Sequence, residues 1–537
     1  MKGLRCCQPL FWAGCPILFL YAHNSGELTI SVLLLPLGLA LVFGLLVWGV
    51  AHLAIKPREN AQVVAAFLIA MLFLYGHLYD LTLSLQSDYT WWPIAFGCAW
   101  FVLVLASVTF LIWRPGFTRR LVEPSAITVL VFTAMLLLNI GRGESVRFSH
   151  LALLRQSNGV QQAKEDGAVA QLPNIYYFIL DGYGRADILK QVYDCDTTGF
   201  LDYLKRKGFY VAPQSHSNYS QTIVSLPSSL NFCYLDKIAR QMGKASGDQV
   251  PLSNMISDAQ VTRLLRAYGY RTIAFPSEYH AVRMASDVPV LSLDGLPDFT
   301  ATVMKTTPLL LLTQLARDSY FDPYAYHRRY LLKQFAEIPR AADIPGPVFV
   351  FAHILAPHQP IVFDADGNPL SAQYRSRISA NALWRIQTSD RQVYRWKYGQ
   401  EVTYLNKRME GIIDQILANS KGPTIIILQG DHGPGFVPDA KDVSQISVPE
   451  RFSILNAYLV PPAVAHALYP SITPVNTFRV VFDHCFNTHF GLLEDRSYFC
   501  GGKYPYDFTE VTDQLITTQP RADAQTRKEK AGAPAPP

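Results

Sequence analysis

Thr424-Ile425-Ile426-Ile427-Leu428-Gln429-Gly430-Asp431-His432-Gly433 joins an apolar β-type run to a carboxylate and an imidazole standing side by side. A buried strand holds whatever follows it in a fixed place, and open α/β sheets bind their ligands at the carboxyl ends of their strands. The earlier run Asn174-Ile-Tyr-Tyr-Phe-Ile-Leu-Asp181-Gly182 does the same with a second carboxylate. Two runs far apart in sequence can be neighbours in one sheet, so Asp181, Asp431 and His432 are candidates to converge on a single cation. Taken alone, either pair also fits a solvated strand-end turn, bent at Gly182 or Gly433.

Outward from these runs, strand and helix patterns alternate from about Pro173 to Thr517, which predicts a largely parallel central sheet covered on both faces. Candidate strands are Ile175 to Leu180, Phe209 to Ala212, Thr272 to Phe275, Val348 to His353 and Thr424 to Leu428. Val402, Leu405, Met409, Ile412, Ile413 and Ile416 recur at helical spacing, so Tyr394 to Leu417 reads as a helix that stops before Gly422-Pro423. The segment Thr473 to Arg479 reads as a turn entering a helix, with Arg479 more simply structural than functional.

The first quarter is different in kind. Apolar runs near the ~20 residues that a bilayer core requires predict about five membrane spans: Pro9 to Ala22, Thr29 to Ile55, Val63 to Leu85, Trp91 to Trp113 and Ser125 to Ile140. A cleaved signal peptide competes for the first, but Pro16 interrupts it and further spans follow directly. Lys2, Arg5, Lys56, Arg58, Arg114, Arg119 and Arg120 fall on alternate connections, whereas His23 to Leu28 and Gln86 to Thr90 carry no Lys or Arg. Basic residues stay on the cytoplasmic side, so the amino terminus is expected inside and everything after Gly141 outside, in the periplasm or beyond the cell membrane. The expected organisation is a transmembrane bundle at 1–140, a polar linker at 141–172, a catalytic domain at 173–517 and a disordered tail at 518–537. His77 and Asp80, at near-helical spacing in the third span, are intramembrane groups with no acidic partner visible in the other spans.

Cysteine usage fits that topology. Cys195, Cys233, Cys485 and Cys500 lie in the outer portion, and an even set in an oxidising compartment predicts disulfides, with Cys195 to Cys233 and Cys485 to Cys500 favoured by sequence proximity. The formal charge of +5 comes from membrane-flanking and scattered surface residues, with no basic run beside aromatic repeats, so nucleic-acid binding is excluded as a function.

Strand-end Asp181, the Thr/Ser-rich Ser220-Gln-Thr222-Ile-Val-Ser225-Leu-Pro227, and Asp431-His432-Gly433 late in the domain together resemble the alkaline phosphatase and sulfatase superfamily. Lipoteichoic-acid synthases and phosphoethanolamine transferases look most similar, since they too carry five spans before an outer domain. The resemblance implies an alkaline phosphatase-like fold, with Asp431 and His432 as the metal pair and Asp181 as the first acidic ligand. It also implies that Thr222, five residues before Pro227, is the nucleophile and a further metal contact. His353 and His358, in His353-Ile-Leu-Ala-Pro-His358, match the spacing of two catalytic histidines that touch substrate phosphate or a second metal. Three departures stand out. Asp181 replaces the usual Glu, Ser444 stands where a further histidine is expected, and Ser225-Leu-Pro227-Ser-Ser229 lacks the arginine of the sulfatase signature. Sulfate-ester hydrolysis through a modified residue is therefore disfavoured.

A threonine hydroxyl is a weak nucleophile until a base or a metal lowers its pKa, so a divalent cation at Asp181, Asp431 and His432 is the expected activator of Thr222. Ser220 and Ser225 remain alternatives for the nucleophile, and one of the two histidines could simply satisfy a buried carbonyl. The mixed donor set suits zinc or manganese, and admits magnesium. Arg185, just past the first ligand, could contact phosphate, although a surface ion pair accounts for it more simply. The expectation is a membrane-anchored transferase that moves a phosphoryl-containing headgroup from a membrane phospholipid donor to an envelope glycan or lipid acceptor. The alternatives are a sulfatase-like phosphoesterase that discharges to water and a noncatalytic envelope-assembly scaffold.

Overall fold

Five apolar helices open the chain: α1 (Gln8–His23), α2 (Leu34–Ala54), α3 (Arg58–Leu83), α4 (Trp92–Trp113) and α5 (Pro115–Ser157). The computed structural model describes residues 7–83, 91–157, 172–289, 298–311, 322–370, 391–435, 440 and 442–516. The outer connection expected at 86–90, residues 158–171 of the linker and the tail from 518 lie outside these residues. The segments Ile30–Ala54, Arg58–Thr82, Trp92–Trp113 and Pro115–Ser149 are long and apolar enough to cross a membrane. Helix α1 has 16 residues, ~24 Å, which falls short of a ~30 Å hydrocarbon core. It packs among α2, α3 and α5. Pro124 does not break α5, which is 43 residues long and carries helix well into the segment expected as a linker. Glu59 and Arg119 meet at 3.2 Å, and Asn60 Nδ2 donates to Pro115 O at 3.0 Å, so the two basic connections lie at the same end of the bundle, as their charge predicts.

The remaining labelled elements, with shorter helices between them, are β1 (Asn174–Leu180), β2 (Tyr210–Val211), α6 (Thr222–Leu230), α7 (Val250–Ser257), β3 (Arg271–Phe275), α8 (Asp298–Lys305), α9 (Pro323–Glu337), β4 (Val348–Ile354), α10 (Arg391–Asn419), β5 (Thr424–Gln429), β6 (Asn456–Leu459), α11 (Pro474–Cys485), β7 (Tyr498–Gly501) and β8 (Tyr504–Glu510). The first six strands form one sheet in the order β2-β6-β5-β1-β4-β3. Pairing is parallel from β5 through β1 and β4 to β3 and antiparallel at β6 and β2. All five strands read from the sequence are present. The periodicity missed β6 and the β7–β8 hairpin, because these strands are short or irregularly patterned.

Alternation along β1 divides the core. Tyr176, Phe178 and Leu180 face α9 and α10, while Ile175, Tyr177 and Ile179 face α6 and α11. All six are fully buried, and each contributes ~1.5–3 kcal/mol by leaving water. That makes β1 the axis of the domain.

The expected disulfides are absent: Cys195, Cys233, Cys485 and Cys500 are free thiols. Cys195 belongs to the core on the α10 side of the sheet, Cys485 packs on the α11 side, and Cys500 sits in a third cluster under β7 and β8. The sheet and its helices separate residues that lie close in sequence.

The α/β domain is docked on the bundle through Arg147, near the end of α5. Its buried guanidinium pairs with Glu144 at 2.7 Å and Asp248 at 3.1 Å, and donates to the carbonyls of Leu28 and Ser25. A buried charge persists only when compensated in this way. Phe299 and Val303 of α8 enter the core of the bundle, and Lys305 together with His77 comes within electrostatic range of Asp80. Besides His77 of its own span, Asp80 thus faces a lysine of the α/β domain.

Candidate metal centre and active site

Register alone brings the strand-end groups together. Ile179 pairs with Gln429 on one side and with His353 on the other. Two residues further on, Asp181 and Asp431 therefore stand level. A step of two keeps a side chain on the same face, so Asp181, Asp431 and His353 all face the side covered by α6, the helix that begins at Thr222. Gly182, at φ 74°, turns the chain directly after Asp181 and donates its N–H to Asp431 Oδ1 at 3.0 Å. Gly433 is required on space: a Cβ there would collide with the carbonyl oxygen of Glu450.

Asp181, Asp431 and His432 present ligand atoms within 4.8 Å of one another, all buried. His432 Nδ1 donates to Gly433 O at 3.0 Å, which leaves the Nε2 lone pair aimed into the cluster. From Nε2, Thr222 Oγ1 is 3.2 Å away, Asp431 Oδ2 3.4 Å and Asp181 Oδ1 3.6 Å. Ligands about 2.0–2.2 Å from a tetrahedral ion lie about 3.3–3.6 Å apart. The two carboxylate oxygens are buried without a hydrogen-bond partner, an arrangement that costs free energy unless a cation compensates it. The residues present fit a divalent metal.

Electrostatics agree. Burial opposes charge on Asp181, but His358, His353 and His432 hold its carboxyl well below the usual range. Burial and the charge of Asp181 push Asp431 up to about 6. Burial, and then Arg451, hold His432 well below its ordinary value, so its imidazole is neutral and free to act as a ligand.

His353 Nε2 lies 3.2 Å from Asp181 Oδ2, and its Nδ1 meets Ser277 Oγ at 2.7 Å. His358 bonds through Nδ1 to Gln359 O at 2.8 Å, and its ring centre lies 6.2 Å from that of His432. Of the alternative hydroxyls, Ser225 Oγ donates to Asp431 O at 2.7 Å, and Ser220 Oγ bonds to the backbone of Cys500. Arg185 is held by Asp187 and by Ser215 O, away from the cluster. Arg479 donates to the carbonyls of Phe232, Phe490 and Gly491, a structural role. Ser444 is exposed on a short turn capped by Asp442.

Two residues were missed in the sequence. Buried Arg451 donates from Nε to Ser220 O at 2.7 Å and from Nη1 to Gly433 O at 3.0 Å, so it ties the Thr222 loop to the His432 loop. Tyr398 Oη donates to Gly182 O at 2.8 Å and accepts from Gly184 N at 3.2 Å. The available signal was weak: a lone arginine between Pro449 and Phe452, and a tyrosine one turn ahead of Val402 on the apolar stripe of α10, where it reads as core.

Comparison with known proteins adds the following. The family model for sulfatases matches residues 173–467. No curated protein matches the chain in sequence. Similar solved structures include the C-terminal periplasmic domain of EcEptC from Escherichia coli, 13% identical, covering 67% of this chain and 96% of that one with a TM-score of 0.39. The integral membrane lipooligosaccharide phosphoethanolamine transferase A (EptA) from Neisseria meningitidis is 11% identical and covers 90% of this chain and 95% of that one, with a TM-score of 0.38. BT1596, a 2-O GAG sulfatase, is 11% identical and covers 67% and 90%, with a TM-score of 0.40.

Proposed function

The chain belongs to the sulfatase family and is a membrane-bundled, sulfatase-like enzyme; on that premise we propose that it transfers a phosphoryl-containing headgroup from a membrane phospholipid to an envelope glycan or lipid, through a covalent intermediate on Thr222. The observation that carries this reading is the Thr222 hydroxyl, 3.2 Å from His432 Nε2 at the mouth of the acidic cluster, while the hydroxyls of Ser220 and Ser225 are committed to backbone.

Asp181, Asp431 and His432 would hold zinc or manganese, with Thr222 as a further contact. A bound divalent cation supplies positive charge that lowers the pKa of the threonine hydroxyl and polarises the phosphoryl group. Thr222 Oγ1 releases its proton to water and attacks phosphorus, and the bond from phosphorus to the lipid alcohol breaks. The amino end of α6 places partial positive charge beside the transferred oxygens. His358 faces the cluster and protonates the departing alkoxide, while His353 fixes Asp181 from behind. In the second half, an acceptor hydroxyl gives its proton to His358, attacks phosphorus and frees Thr222, whose oxygen takes a proton back from water. The α/β domain works at the periplasmic face of the inner membrane, where donor and acceptor are at hand.

Intact-mass and peptide analysis of the full chain, after incubation with native lipids, tests the reading. The expected result is a phosphoryl-containing adduct on Thr222 that Thr222→Ala lacks, with turnover abolished in Thr222→Ala and largely kept in Ser225→Ala. An adduct mapped elsewhere, or turnover that survives in Thr222→Ala, would overturn it.

A further inference from the structure

A crevice of about 420 Å³ opens between the bundle and the outer domain. Its floor is apolar and belongs to the membrane side: Leu28, Val32 and Leu35, next to Phe299 of α8. Leu28 and Phe299 are themselves part of the bundle core, and the spanning segment begins at Ile30, so the floor lies where the helix leaves the membrane. Its upper wall is polar, made by Ser253 and Asn254 of α7 together with His280, Arg283 and the carboxylate of Glu27. Arg283 is exposed, and no carboxylate among the described residues pairs with it. The junction is fixed by bonds from Gln249 N to Gly26 O at 2.6 Å and from His280 Nε2 to Glu27 O at 3.3 Å. A single segment links this crevice to the candidate metal centre. Ser277 Oγ bonds to His353 Nδ1 at 2.7 Å and accepts from Tyr279 N at 3.1 Å, while His280 and Arg283, a few residues on, line the crevice. The Tyr279 side chain lies between the two, within electrostatic range of Glu27 on one side and of Asp181 and Asp431 on the other.

We propose that the crevice binds a phospholipid of the outer leaflet, with its phosphate against Arg283 and the start of its chains over Val32, Leu35 and Phe299. This deepens the transfer reading above and rests on it for the fate of the headgroup, but binding in the crevice can be measured without turnover. An apolar floor continuous with a membrane helix favours an amphipathic occupant, and an arginine with no paired carboxylate among the described residues favours phosphate on the polar wall.

The test uses the full chain in phospholipid nanodiscs that contain a phospholipid with a diazirine in its acyl chain near the glycerol. After illumination, labelled peptides should map to 24–35, 250–257 and 298–305. Arg283→Glu should lower that labelling about tenfold relative to labelling on the lipid-facing sides of α2 and α4. Ser253→Trp, which fills the crevice and leaves the arginine in place, should lower it as well. Asp431→Asn should keep the labelling while losing turnover, which separates failure of this proposal from failure of the transfer reading. Labelling confined to the lipid-facing sides, or undiminished in both crevice variants, would overturn the proposal. So would equal loss of labelling on addition of inorganic phosphate, which would assign the site to the free ion.

Discussion

Replacing Asp431 by asparagine should make the metal-free protein more stable while removing its response to metal. Without a cation, burial and the charge of Asp181 raise the pKa of Asp431 to about 6, against an ordinary 3.8. Holding it ionised near neutral pH then costs up to ~3 kcal/mol, at about 1.4 kcal/mol per pKa unit. Asparagine carries no charge, and its Oδ1 can keep both bonds that Asp431 Oδ1 accepts, from Gly182 N and His432 N, each at 3.0 Å. Because the folded-state pKa is raised, the penalty is fully present above about pH 6 and fades as the pH falls toward about 4, where folded and unfolded forms are both protonated. The metal-free parent should therefore gain stability over that interval, and Asp431→Asn should not share the gain. Zinc or manganese should raise the unfolding midpoint of the parent alone, because the variant loses a charged ligand. Fluorescence-monitored melting of the full chain in nanodiscs, after chelation and again with metal restored, reads both effects. A metal-free variant no more stable than the parent near neutrality would refute the reasoning, as would equal stabilisation of both proteins by metal.

Arg451→Lys keeps a charge but reaches only one of the two carbonyls that the guanidinium holds, so about 1–3 kcal/mol of stability should be lost, visible as a lower midpoint in the same melts. A lysine variant that melts with the parent would remove the tie between the Thr222 and His432 loops. His353→Gln should lower kcat about 10–100-fold with KM little changed, since it removes the support behind Asp181 and leaves the donor's path intact; a change confined to KM would contradict that role. For topology, a reporter fused after Leu151 should be active only outside the cytoplasm and one fused after Glu59 only inside. Reversed activities would place the outer domain on the cytoplasmic side.

Much of this molecule can be read from the order of its residues, for reasons that also explain what cannot. β1 and β5 are legible because strands buried on both faces must be continuously apolar, and Asp181 and Asp431 are conspicuous as the first charges after such runs. Their meeting follows from parallel register, in which Ile179 stands beside Gln429. The wrong disulfides show the limit of that logic, because proximity in sequence says nothing about which face of a sheet a cysteine joins. Arg451 and Tyr398 escaped notice because their partners are backbone carbonyls and amides, which have no signature in side-chain identity. β6 has four residues and pairs at both edges of its short length, too little for a period of two to declare itself.

Helix α5 runs without a break for 43 residues, ~65 Å, about twice the thickness of a bilayer core. Arg147 pins its far part to Asp248 and to the connection between α1 and α2, so the outer domain has a fixed altitude instead of a tether. A catalyst mounted in that way samples a thin film of space. On the transfer proposed above, its encounters with lipid are counted in molecules per unit area, so diluting the bilayer with inert lipid should slow it even when the bulk concentration of every reactant stays the same.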